Sequence, residues 1–205
     1  MKVDLKKETA TYAARRGRFD LVTVPPLPYL MCDGAGDPNT APAYRRALEA
    51  LYPVAYGLKF MSTRELDRDY VVPPLEGLWW ADDPELFTTR RDKSAWQWTL
   101  MILVPEWLSA DHVDRAREAA GAKGVDGARD VRFETLDEGL SVQTLHVGSY
   151  DDEAPVLAEL HDRVIPERGL RMTGRHHEIY LSDARRTAPE KLRTILRQPV
   201  EALSA

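Results

Sequence analysis

The sequence predicts an α+β fold made of two strand–helix–strand–strand (βαββ) units. Short segments rich in aromatic and β-branched residues alternate with helical patterns. An Ala-Pro pair opens a helical pattern in each half, at Pro42 and at Pro155, and a Gly-Leu pair ends it, at Gly57 and at Gly169. Two such units, related by a pseudo-twofold axis, would share one sheet and leave a ligand cleft at their junction. The alternative is that two common residue pairs recur by chance.

The first half of the chain is predicted to contain strands at 19–24 and 29–33 and a helix at 42–56. Apolar residues recur at helical spacing along this helix, and Gly57 is expected to end it. Two further extended segments are predicted at 60–66 and 70–80.

The strongest strand pattern, at 96–104, is the last element of the first unit. Ser109 is expected to cap a helix that ends at Gly121. A hairpin of strands 131–135 and 140–147, a helix at 153–167 and a strand at 175–181 are predicted next. A short helix or a final strand is expected at 189–196.

Composition and charge exclude several classes of protein. The 205 residues carry a net charge of -5, which argues against direct nucleic-acid binding, and no apolar run is long enough for a membrane span. No secretion signal is recognised, and the single Cys32 excludes an internal disulfide, so a cytoplasmic location is predicted. Residues 1–19 are predicted to be an N-terminal leader. Residues 20–205 are predicted to be one domain, with the units at about 20–104 and 130–200.

The strand at 175–181 contains the first candidate site residues. Because side chains alternate along a strand, His176, Glu178 and Tyr180 are predicted to share one face, and His177 and Ile179 the other. A carboxylate between two hydrogen-bonding rings is costly to bury without a purpose. Alternatively, these three side chains form the solvent-exposed polar face of an antiparallel strand whose other face is buried.

Tryptophans supply the second candidate feature. Trp79 and Trp80 follow Glu76, and Trp96 and Trp98 share a strand face. These pairs could be ordinary core residues. If both border the cleft, they form a flat aromatic slot with carboxylates at its floor, suited to a planar, apolar or cationic ligand. Stacking or cation–π attraction contributes about 0.5–2 kcal/mol per ring, and a carboxylate desolvated by such rings is poised to act as a general base.

Other chemistries are less well supported by the sequence. His176 and His177 immediately precede Glu178 in the sequence but project to opposite faces of the predicted strand, so they cannot bind one metal ion together with it. The sequence also has no Cys pair and no His-x-x-x-His motif, so no metal site is predicted. Ser149 lacks the Gly-x-Ser-x-Gly elbow of a serine hydrolase, and there is no glycine-rich phosphate loop.

Three motifs resemble the GyrI-like small-molecule-binding family, and in particular its stand-alone branch. They are PPLEGLWW at 73–80, WQW at 96–98, and HHEIYLSD at 176–183 followed by RRTAPEKL at 185–192. The resemblance extends from about Asp20 onward and implies a duplicated βαββ fold with a ligand pocket at the junction. It also implies that Glu178 matches the pocket glutamate that meets cationic aromatic drugs in this family. Some stand-alone members resemble cyclopropanoid cyclopropyl hydrolases, which open the cyclopropane of DNA-alkylating natural products by adding water. The helix-turn-helix segment of the regulators is not present.

The sequence therefore predicts a detoxifying hydrolase that binds planar aromatic or cationic small molecules and needs no metal or organic cofactor. Glu178 is expected to deprotonate or orient the attacking water, and Tyr180 to hold that water or contact the substrate. The expected ligand-binding residues are Glu76, Trp79, Trp80, Trp96, Trp98 and His176. The alternative is a non-catalytic multidrug-binding or sensing protein.

Overall fold

One curved antiparallel sheet organises the chain, of which the computed structural model describes residues 2–83 and 92–203. Its strands are β1 (Asp20–Val24), β2 (Leu27–Ala35), β3 (Leu75–Trp80), β4 (Gln97–Leu103), β5 (Arg132–Leu136), β6 (Gly139–Val147), β7 (Leu170–Met172), β8 (His176–Tyr180) and β9 (Arg193–Ala202). The helices are α1 (Leu5–Glu8), α2 (Pro42–Leu66), α3 (Ala110–Ala122), α4 (Ala154–Ala158) and α5 (Ile165–Glu167). A π-helical segment, Glu159–Val164, joins α4 directly to α5.

The two halves of the chain meet in the middle of the sheet, where β3 pairs with β8. The strand order is β1-β6-β9-β8-β3-β4-β2-β5, and β7 adds to β9. In the first half of the chain, β3 is followed outward in the sheet by β4 and then by β2, the strand that precedes α2. In the second half, β8 is followed by β9 and then by β6, the strand that precedes α4. The mixed α+β class is confirmed. The expected duplication stays a prediction, because strand order does not establish a common origin of the halves.

The sheet closes on itself through a long two-stranded ribbon. β1 continues into β2 across Pro25-Pro26, and β5 continues into β6 across Asp137-Glu138. β1 pairs with β6 and β2 with β5 in one continuous antiparallel register. The predicted hairpin of β5 with β6 is therefore wrong. The alternating pattern marks both strands, but the chain between them bends without reversing direction.

Helix α2 is longer than predicted, and Gly57 lies inside it. Buried Leu58 and Met61 continue its apolar stripe, so the expected extended segment at 60–66 is also wrong. A Cβ atom at position 57 would lie 3.5 Å from the Cβ of Ala116 in α3, which is ordinary van der Waals contact, so α2 packs against α3 at this position. The helix ends at Asp67, which adopts a left-handed conformation with φ of 53°.

Both helical layers cover the same side of the sheet, here called the helix face. Helix α2 packs on β2 and β4, with Leu51 and Leu100 in one buried cluster. The α4–α5 segment packs on the other half, where Leu160 contributes to a cluster with Val142 and Val200. On this face, the central strands β3 and β8 lie in the gap between the part of the sheet covered by α2 and the part covered by the α4–α5 segment.

The other side, here called the N-terminal face, is partly covered by the first residues of the chain. Tyr12 is only 4% exposed and packs in a cluster with Tyr29 and Ile179. Gln143 Nε2 donates to the carbonyl of Ala13 over 3.2 Å. The segment predicted as a leader thus packs against the sheet, and the boundary at residue 20 stays a prediction. In the two described ranges, no helix is both long and apolar enough to cross a membrane.

Candidate functional site

The register of the central strands brings most of the predicted site residues together on the helix face. Gly77 pairs with Glu178, and Trp79 pairs with both His176 of β8 and Trp98 of β4. Residues that pair across a sheet project from the same face. The carboxylate of Glu178 is buried, with the residue only 9% exposed. The predicted face of β8 is therefore turned toward the space between the helical layers.

A chain of two hydrogen bonds holds the Glu178 carboxylate. Trp79 Nε1 donates to Tyr180 Oη over 2.9 Å, and Tyr180 Oη donates to Glu178 Oε2 over 2.7 Å. Because an indole can only donate, the tyrosine oxygen must accept from it and turn its own hydrogen toward the carboxylate. Burial and the nearby Glu178 carboxylate raise the pKa of Tyr180 well above its usual value, which keeps this donor protonated. A Cβ atom at Gly77 would lie 2.7 Å from Trp79 Nε1, so the close approach of the indole requires glycine.

His176 lies beside the second oxygen of the carboxylate, and His161 packs against His176. His176 Nε2 is 3.6 Å from Glu178 Oε1, just beyond direct hydrogen-bond distance. The His161 ring, from the π-helical segment, packs edge-on against His176 with ring centroids 5.5 Å apart. Burial and the neighbouring His176 lower the pKa of His161 to about 3, so this ring is neutral at physiological pH.

Aromatic rings surround this carboxylate on the side of the first half of the chain. Tyr44 of α2 stacks on Trp79 with centroids 6.3 Å apart and meets Trp98 edge-on at 5.2 Å. Trp96 meets Trp79 edge-on at 5.7 Å. All three predicted tryptophans of this group are buried, and together with Tyr44 they form a continuous aromatic wall.

Three further residues at this site are not predicted by any motif in the sequence: Tyr44, Tyr150 and Glu153. Tyr150 packs edge-on against Tyr180 with centroids 5.5 Å apart. Glu153 is buried, and after burial itself its carboxylate is the largest influence that raises the pKa of Tyr150 to about 12. The one signal in the sequence is the position of Tyr150 and Glu153 at or just before the start of the third predicted helix.

The structure does not bring Glu76 and Trp80 to this site, which corrects their expected place beside Glu178. Both lie on the N-terminal face, because they alternate with Gly77 and Trp79 along β3. Glu76 is 0% exposed and accepts hydrogen bonds from Tyr12 and from Tyr29, the latter over 3.3 Å.

Glu76 belongs to a separate buried ionic network on the N-terminal face. His177 lies between two carboxylates, with Nε2 2.9 Å from Glu76 Oε2 and Nδ1 2.9 Å from Glu138 Oε1. Arg197 Nη1 is 2.7 Å from Glu138 Oε2, and its Nε donates to Gln143. Burial opposes protonation of His177, but the two carboxylates outweigh it and raise its pKa to about 9. Burial likewise opposes ionisation of Glu138, but His177 and Arg197 outweigh it and lower its pKa to about 2. These charges are mutually paired, as buried charges must be to remain stable.

A cavity of about 520 Å³ lies at the surface near Trp96. Its lining is Asp37, Asp92, Lys93, Ser94 and Asp151. Lys93 Nζ is 2.8 Å from the carboxylate of Asp151 and 6.0 Å from the centre of the Trp96 ring. Glu178 is not among the residues that line this cavity.

A curved antiparallel sheet with a buried carboxylate among aromatic rings defines a small-molecule-binding protein of the mixed α+β class. The chain belongs to the GyrI-like small-molecule-binding domain family, whose family model matches residues 18–201, and the resemblance seen in the sequence is confirmed.

Three solved structures place the chain among its relatives. An uncharacterized conserved protein from Listeria innocua is 39% identical, with a TM-score of 0.88 over 98% of this chain and 100% of that one. A hydrolase from Listeria innocua is 38% identical, with a TM-score of 0.83 and the same coverage. The EcmrR C-terminal domain is 12% identical, with a TM-score of 0.57 over 91% of this chain and 98% of that one, and shows the fold alone. No curated protein shows significant similarity to the chain.

Proposed function

We propose that the protein binds planar aromatic compounds at the Glu178 site and hydrolyses a cyclopropane ring in those that carry one. The observation that carries this proposal is the buried Glu178 carboxylate, fixed by Tyr180 and Trp79 at the edge of an aromatic wall. The hydrolase from Listeria innocua, 38% identical over 98% of this chain, adds support for an enzyme. Removal of reactive alkylating compounds is the biological role that this chemistry would serve.

Ligand binding would exploit rings that already pack on one another. A flat ligand would replace Tyr44 against the indoles of Trp79 and Trp98, exchanging one ring contact for another. Each retained ring contact contributes about 0.5–1.5 kcal/mol beyond the area it buries. The acidic lining of the adjacent cavity, three aspartates and one lysine, favours the approach of a cationic ligand.

The proposed reaction is addition of water to a cyclopropane fused or spiro-linked to a cyclohexadienone. Glu178 Oε2 is engaged by Tyr180, so Oε1 is the oxygen that would accept a proton from the attacking water. The water oxygen bonds to a methylene carbon of the three-membered ring, and the carbon–carbon bond to the dienone breaks. Its electron pair moves through the ring to the carbonyl oxygen, giving a phenolate, which then takes up the proton held by Glu178. Release of strain and gain of aromaticity drive the reaction, so the protein need only position water and stabilise the phenolate.

A protonated donor is available for the developing phenolate. Tyr150 lies against Tyr180, and burial and Glu153 raise its pKa to about 12. A phenol that stays protonated at neutral pH can donate a hydrogen bond to the oxyanion without giving up its proton. Glu153, and not Glu76, is therefore the second carboxylate of the proposed site.

The second candidate function is non-catalytic binding or sensing of aromatic cations. It is favoured by the same carboxylate among rings, since a buried carboxylate attracts a cation without any chemical step. The two functions differ only in whether the ligand is changed and released.

Turnover distinguishes them. The purified protein is mixed with an excess of a spirocyclopropyl cyclohexadienone, and the hydroxyethyl phenol product is quantified by mass spectrometry. An enzyme forms many equivalents of product above the rate without protein, and Glu178→Gln abolishes the excess. Glu118→Gln, at an exposed position on α3, is the matched control and leaves the rate unchanged. Saturable binding with no product above the background rate contradicts the hydrolase and favours the binder.

A further inference from the structure

The N-terminal face carries a groove with features of a binding site that the Glu178 chemistry does not use. Its volume is about 740 Å³. Here called the Trp80 groove, it is lined by Leu78, Trp80, Thr99, Arg132, Leu136 and Arg175, among others. It lies on the opposite side of the sheet from Glu178, because Trp80 alternates with Trp79 on β3 and Arg175 precedes His176 on β8. A ligand here would meet a different chemistry from one at the Glu178 site.

Arg175 is the distinctive group of this groove. Trp80 and Arg175 continue the β3–β8 register one step beyond the last pair, and the guanidinium carbon lies 3.5 Å from the centre of the Trp80 ring. Arg175 is exposed, and no carboxylate in residues 2–83 or 92–203 is within ion-pair distance of it. Stacking on an indole orients a guanidinium while leaving its N–H groups able to bind an anion.

The other charged side chains that line the groove pair with one another. Arg132 lies 2.7 Å from Asp33 through its Nη2 and also pairs with Glu134. Burial opposes the charge on Arg132, but these two carboxylates outweigh it and raise its pKa. The guanidinium of Arg175 is thus the charge in the groove that lacks an opposite partner among the described residues.

The floor beside Arg175 is apolar. Met31 and Leu78 are almost fully buried, yet both line the groove together with half-buried Leu136. Burying a flat hydrocarbon on such a floor removes apolar surface from water and is therefore favourable. An apolar floor, an aromatic ring and one unpartnered guanidinium together match a molecule with a flat ring and a single acidic group.

We propose that the Trp80 groove is a second ligand site, which binds an aromatic carboxylate through Arg175. The carboxylate forms a bidentate pair with the guanidinium, and the ring lies over Leu78 beside Trp80. Its charge preference is opposite to that of the Glu178 site on the other face. The two sites are independent, so this proposal stands whether or not the protein hydrolyses cyclopropanes.

The test uses 2-naphthoate and its uncharged analogue 2-naphthylmethanol, with binding to the whole protein measured by isothermal titration calorimetry. Hydrogen bonds to charged groups contribute about 1.5–3 kcal/mol, so Arg175→Gln is expected to weaken naphthoate binding about tenfold or more. The alcohol is expected to bind more weakly than naphthoate to the wild type and equally to both proteins. Arg171→Gln on β7, an exposed arginine paired with Glu201, is the matched control and leaves naphthoate affinity unchanged.

Two results would overturn the proposal. One is naphthoate affinity that Arg175→Gln leaves within twofold of the wild type, or no measurable binding at all. The other is loss of naphthoate binding in Glu178→Gln with retention in Arg175→Gln, which would assign the ligand to the opposite face. A failure of the hydrolase proposal shows in product formation alone, and is therefore distinguishable from either result.

Discussion

Replacing Tyr180 with phenylalanine removes the one hydroxyl that links Trp79 to Glu178 and keeps the ring that packs against Tyr150. Two buried groups lose their partner, the Nε1–H of Trp79 at 2.9 Å and the Oε2 of Glu178 at 2.7 Å. A hydrogen bond to a charged acceptor is worth about 1.5–3 kcal/mol, and a buried donor left unpaired costs about 1–3 kcal/mol. The expected loss in the free energy of unfolding is therefore about 3–5 kcal/mol for Tyr180→Phe.

Urea denaturation followed by tryptophan fluorescence measures this loss, provided that the slope of the transition is unchanged. The matched control is Tyr56→Phe, since Tyr56 is 46% exposed on α2. The control is expected to change the free energy of unfolding by no more than about 0.5 kcal/mol. If Tyr180→Phe were as stable as Tyr56→Phe, the hydrogen-bond chain would not hold the Glu178 carboxylate, and the account of the site would be wrong.

Further predictions concern the buried ionic network and the glycine beneath the indole. The folded-state pKa of His177 is raised to about 9, so its stabilising contribution is complete below its unfolded pKa of about 6.5 and is lost as the pH rises through 9. The pKa of Glu138 is lowered to about 2, so its contribution is present above about 4.5 and is lost as the pH falls toward 2. The free energy of unfolding, measured by urea titration across pH, is expected to fall at both the alkaline and the acid end. His177→Gln is expected to remove much of the alkaline decrease. An unchanged alkaline decrease in this variant would contradict the role of His177. Gly77→Ala is expected to destabilise the fold by about 1–3 kcal/mol through overpacking. Gly121→Ala, in α3 with open space around it, is expected to stabilise it by about 0.5–1 kcal/mol; equal effects of the two substitutions would refute the packing explanation.

Period-two alternation was enough to predict one face of the site. It correctly grouped His176, Glu178 and Tyr180, because a short strand in a sheet has no freedom to turn one side chain to the other face. The same alternation along β3 places Trp79 on the helix face and Trp80 on the N-terminal face. Glu76 and Glu178 therefore occupy opposite faces of the sheet, although each lies on a central strand.

Other features depend on contacts between distant parts of the chain and could not be predicted from local patterns. Gly57 is typical of a helix end, yet α2 continues through it because Leu58 and Met61 extend the buried apolar stripe of the helix. The strands β5 and β6 are separated by two residues, yet each pairs with a strand more than a hundred residues away in sequence. Tyr44 and Tyr150 reach the Glu178 site only because the helical layers flank the central strands.

The tryptophan indoles allow the most direct measurement of where a ligand binds. The indole N–H resonances are followed by ¹H–¹⁵N NMR during titration with a planar aromatic cation such as ethidium. The account predicts large shifts for Trp79, Trp96 and Trp98, which form the aromatic wall, and none for Trp107, whose Nε1 donates to Ser62 far along α2. Shifts confined to Trp107, with the three indoles of the wall unmoved at saturation, would contradict the central claim that this carboxylate and its rings bind the ligand.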